Sequence, residues 1–71
     1  MSQLRQQFAK RLKDLRTLRG MTQDELAAAT GLSVSFIRSI EQGINAPSFE
    51  SIEIIASALN VTVTAMFDFH S

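Results

Sequence analysis

One glycine limits what this chain can become more than any other residue. Gly31 falls inside residues 22–42, TQDELAAATGLSVSFIRSIEQ, a stretch that would otherwise read as a single helix. To its left, residues 22–29 include strong helix formers, Glu25, Leu26 and three alanines among them. To its right, Ile37, Ile40 and Glu41 recur at the three-and-four spacing of a helix face. A glycine inside a helix costs about 1 kcal/mol relative to alanine. Lacking a Cβ, it also supplies the positive φ that a sharp turn needs. The pattern therefore predicts two short helices and a tight turn between them.

The remaining punctuation divides the rest of the chain. Leu4, Phe8, Leu12 and Leu15 form the apolar stripe of a first helix, closed by Gly20. Thr22 with Glu25 makes a capping box, so a second helix spans about 22–30. Ser33 caps a third over about 33–42, ending before Gly43. Pro47 and Ser48 announce a fourth, whose face is Ile52, Ile55, Ala56 and Leu59 and whose stop is Asn60. The alternation VTVT at 61–64 has no partner strand elsewhere, so Thr62 is expected to cap a short fifth helix. The expected fold is all-α, five helices in one domain spanning 1–71.

A turn of this length containing glycine defines a helix-turn-helix. Ala27, small and inward, would let its two helices approach closely. On the third helix, Ile37, Ile40 and Glu41 turn inward, whereas Ser35, Arg38, Ser39 and Gln42 turn outward, with Val34 at the exposed start. Short or polar side chains suit a DNA major groove about 12 Å wide, where serine, arginine and a valine methyl all meet base edges. Formal net charge is zero, but unevenly laid out: six basic residues face Asp14 alone in residues 1–20, and Arg38 faces six acids thereafter. That asymmetry permits a basic face on a neutral molecule.

The segments RLKDLRTLRGMTQDELAAATGLSVSFIRSIEQG and PSFESIEIIASALNV, in that order, resemble the Cro/CI-type (XRE) helix-turn-helix regulators of phages and bacteria. The resemblance covers about 8–67, places the motif at 22–42 and implies a lambda-repressor-like DNA-binding domain. It also implies roles residue by residue. Gln23 and Asn45 match positions that hold DNA phosphates. Val34, Ser35 and Ser39 match base-reading positions, with Arg38 beside them, and Arg16 and Glu41 match a structural ion pair. The size resembles that of restriction–modification controller proteins, many of which carry arginine and threonine where this chain has Val34 and Ser35. Phe36 is expected to pack against the fourth helix.

Ile54 lies opposite the inward stripe of its helix, and Val63, Phe67 and Phe69 add apolar surface nearby in sequence. Together they are expected to form a homodimer interface. The expected function is a sequence-specific transcriptional regulator binding double-stranded DNA as a homodimer, with a protein-binding module such as an antitoxin as the alternative. Cysteine is absent, His70 sits next to the C-terminus, and no phosphate-binding glycine loop or metal-ligand cluster appears. No catalytic residue, metal, cofactor or small-molecule effector is expected. With no signal peptide and no apolar run of membrane-spanning length, a cytoplasmic protein is expected.

Overall fold

The computed structural model describes residues 3–69 and holds five helices: α1 (Gln3–Leu18), α2 (Gln23–Thr30), α3 (Val34–Glu41), α4 (Phe49–Leu59) and α5 (Val63–Met66). Four of them begin at a hydroxyl. Thr22, Ser33, Ser48 and Thr62 each accept the backbone N–H three residues on, from Glu25, Phe36, Ser51 and Ala65. Glu25 returns the bond to the Thr22 N–H at 2.8 Å, completing the capping box. Each such cap stabilises its helix by about 1 kcal/mol, which matters where three of the helices have eight residues or fewer. The VTVT stretch forms no strand: Thr62 keeps an extended backbone and caps α5, which begins at Val63.

Gly31 closes α2 at φ 76°, and its N–H bonds to the Ala27 carbonyl. A Cβ built on Gly31 would meet nothing within 4 Å, so the requirement is conformational and not one of space. Asn60 does the same for α4 at φ 56°, the one non-glycine residue with positive φ among those described.

The core draws on every helix. Leu12, Leu26, Ile37, Ile40, Ile55, Leu59 and Met66 are fully buried, and Ala27 joins them where α2 packs on α3. α1 packs on α3 and α5, α2 also on α4, and α4 on α5. Phe36 is half-buried against this core. Leu4 departs from the expected stripe. It is 54% exposed, at the rim of a groove it shares with Pro47 and Phe49.

Three arginines of α1 and Arg19, just past its end, tie the fold together through carbonyl groups. Arg19 Nε donates to Leu59 O at 2.8 Å and its Nη2 to Asn60 O at 3.2 Å, satisfying the C-terminus of α4. Arg11 Nε donates to Ala65 O in α5 at 2.9 Å. Arg5 reaches Ile44 O, and Arg16 reaches Met21 O. Cations at helix C-termini also meet the negative end of the helix dipole. Much of the basic charge of residues 1–20 is thus engaged in structural contacts with carbonyl groups.

Candidate nucleic-acid interface

The interface is built outward from a buried ion pair. Arg16 Nε donates to Glu41 Oε2 at 2.6 Å and Nη2 to Oε1 at 3.0 Å, a two-pronged contact joining α1 to the end of α3. The two side chains are only 10% and 4% exposed. Arg16 Nη1 adds a bond to Met21 O at 2.7 Å, so both charges are hydrogen-bonded as well as paired. The Glu41 hydrogen bond pushes the Arg16 pKa up, burial opposes this, and the Glu41 charge adds to the rise. Among the described residues, no buried side-chain nitrogen or oxygen lacks a hydrogen-bond partner.

Gln23, first residue of α2, stands beside this pair. Its Nε2 donates to Glu41 Oε1 at 3.1 Å, so α1, α2 and α3 converge on one carboxylate. The side chain is half-buried, with its bond made inward.

Along α3, the four base-reading candidates occupy different situations. Ser35 and Arg38 are exposed, and neither side chain is hydrogen-bonded to another described residue. Val34, expected at an exposed end, is instead half-buried against the core. Ser39 is half-buried too. Its hydroxyl donates to Phe36 O at 2.8 Å and accepts from Asn45 Nδ2 at 3.0 Å. Asn45 is thereby folded back onto α3, with its own N–H bonded to Ser39 O. The structure brings Gln23 together with Glu41, and Ser39 with Asn45, and leaves Ser35 and Arg38 projecting alone.

The apolar candidates separate as well. Ile54, Val63 and Phe67 are 42%, 41% and 38% exposed. Phe69 is half-buried against its own core, beside Gln7, Lys10, Arg11 and Asp14 of α1, so it contributes less free surface than expected. Phe67 stacks at a tilt on Phe8, ring centroids 5.1 Å apart, and edge-on to Phe69 at 6.2 Å. Phe49, which the helical pattern did not single out, is 84% exposed at the head of α4. It edges a groove of about 210 Å³ with Leu4, Phe8, Pro47, Ile52 and Phe67.

Among the described residues, no group of three or more His, Asp or Glu side chains is placed to hold a metal. No described helix is long and apolar enough to cross a membrane. His70 lies outside the described residues.

A sequence model of the helix-turn-helix family matches residues 12–65. The HTH-type transcriptional regulator DdrOP3 of Deinococcus deserti is 34% identical over 56 residues, 79% of this chain and 43% of that protein. The uncharacterized HTH-type transcriptional regulator YazB of Bacillus subtilis is 38% identical over 55 residues, 78% of this chain and 80% of that one. The chain thus spans under half of the first relative and four-fifths of the second. The restriction-modification controller protein C.AhdI from Aeromonas hydrophila superposes with a TM-score of 0.85 at 32% identity, covering 87% of this chain and 94% of that chain. A second controller protein, C.Esp1396I, solved as a tetramer with its natural 35 base-pair operator, gives a TM-score of 0.87 at 29% identity, covering 96% of this chain and 90% of that one.

Proposed function

This chain belongs to the helix-turn-helix family, and from that premise we propose that it is a DNA-binding transcriptional regulator acting as a homodimer on a palindromic operator. The observation that carries the proposal is the outer face of α3, where Ser35 and Arg38 project without hydrogen-bond partners among the described residues from a helix anchored at its far end by a buried ion pair. Rigid backing with free polar tips is what a base-reading helix needs. Arg38 takes guanine or an adjacent phosphate, and Ser35 a base edge. Gln23 and Asn45, both neutral amides flanking α3, position the domain on the DNA backbone. The operator-bound C.Esp1396I assembly supports the same use of the fold.

Selection of preferred sites from random duplexes tests this. The expected result is a two-fold symmetric site with half-sites about 34 Å, one DNA turn, apart, bound more weakly as salt rises. A second reading, a protein-binding module of the antitoxin kind, is favoured by one observation: Arg11 and Arg19 are bound to carbonyl groups and are not displayed for phosphates. Selection that enriches no sequence, with no salt-dependent duplex binding, would move the conclusion to that reading.

A further inference from the structure

The Gln23–Glu41 hydrogen bond has a directional consequence. A carboxylate only accepts, so the face of the Gln23 amide turned toward Glu41 must be its NH₂. That NH₂ carries two protons, and Glu41 Oε1 takes one. A phosphate is also acceptor-only, so a Gln23 that meets the DNA backbone must do so with an N–H. The second proton of the same nitrogen, directed away from Glu41, is the one left for it. Glu41 cannot swing to follow, because Arg16 grips both of its oxygens and the side chain is 4% exposed.

We propose that Glu41 is a positioning residue for the backbone contact: it accepts one Nε2 proton of Gln23 and thereby holds the other toward the phosphate. The proposal rests on the reading of Gln23 as a phosphate contact. It adds that a long side chain with several rotatable bonds is already ordered before DNA arrives, so binding does not bear the cost of ordering it. The Arg16–Glu41 pair then has two jobs. It joins α1 to α3, and it sets the amide on α2.

The test is a double-mutant cycle on affinity for a duplex of arbitrary sequence at low salt, using the full chain and circular dichroism to confirm folding. The proteins are the parent, Gln23→Ala, Glu41→Gln and the double variant. Glu41→Gln keeps the shape but leaves one acceptor oxygen, which the charged Arg16 claims before the neutral amide. Glu41→Gln is expected to weaken binding about three- to tenfold in the parent, and to have no further effect once Gln23 is alanine. A purely structural role for Glu41 would give losses that multiply, overturning the positioning while leaving the phosphate contact intact. A Gln23→Ala protein that binds like the parent would instead overturn the phosphate reading itself. Should Glu41→Gln not fold, the side-chain amide spectrum of the parent decides. One Gln23 Nε2 proton is expected to be shifted and slow to exchange in the free protein, and the other to shift only on adding duplex. Two protons resembling those of exposed Gln42 in the free protein would overturn the proposal.

Discussion

Three N–H groups converge on the two oxygens of Glu41, two from Arg16 and one from Gln23. Removing the carboxylate strands a buried guanidinium, and breaking such a pair typically costs about 3–5 kcal/mol. Glu41→Ala is expected to lower stability by that order in denaturant melts, whereas the exposed Glu53→Ala changes it by less than about 0.5 kcal/mol. Equal losses would sink the buried-pair account. The pH dependence follows from the raised Arg16 pKa. A cation whose folded pKa is raised stabilises fully below its unfolded value and loses that contribution only as pH climbs through the folded one. Both lie at the arginine end of the scale, so the Arg16 contribution should not fade between about pH 7 and pH 10. At the outer face, Arg38→Ala is expected to change preference at particular base pairs at a cost of about 1–3 kcal/mol. Gln23→Ala should weaken all duplexes alike. If Arg38→Ala also weakens all sequences alike, Arg38 touches backbone only.

At the scale of the helices, termini decide more than interiors do. α2 and α3 have eight residues each, too few to be stable alone, and they persist because caps, turn and core act together. Gly31→Ala is expected to cost about 1–2 kcal/mol, the penalty for an L residue in the left-handed region, since its methyl would meet no neighbour. Asparagine at the same position should cost less than alanine, and thermal melts order the three proteins. Arg19→Ala should lose about 1 kcal/mol through the unsatisfied carbonyls of Leu59 and Asn60. Lys13→Ala, on an exposed side chain with no such bond, should be neutral. A matching loss at Lys13 would mean that Arg19 acts through general charge and not as a cap.

At the scale of the whole molecule, the proposed homodimer would bury apolar surface that a small domain leaves exposed. Ile54 on α4 and Val63 on α5 are each about two-fifths exposed, and Phe67 follows directly after α5. Phe67 also supports Phe8, so substituting it would mix folding with association. Ile54→Lys with Val63→Glu is the cleaner disruption, because both side chains are substantially exposed. The double variant is expected to sediment as a monomer, to keep its far-ultraviolet circular dichroism, and to lose most of its operator affinity. A parent protein that sediments as a monomer at micromolar concentration yet binds a palindrome tightly would overturn the dimer.

Helix number, order and ends were legible in the chain because they depend on neighbours in sequence. Caps act over three residues, a left-handed glycine acts on its own φ, and apolar spacing marks the inward face. From these came the five helices, the turn at Gly31 and the inward set Ile37, Ile40 and Glu41. Apart from the Arg16–Glu41 pair, which the family resemblance implied, the long-range partners of polar side chains were decided only by tertiary structure, because the distances that matter join residues far apart in sequence. Arg19 and Leu59 are 40 positions apart, and Arg11 and Ala65 are 54 apart. Nothing local distinguishes an arginine that clamps a carbonyl from one that meets solvent or a phosphate. The exposure of Leu4 and Phe49 has the same origin: spacing says which side of a helix is apolar, but only the tertiary packing says how far along that side stays covered.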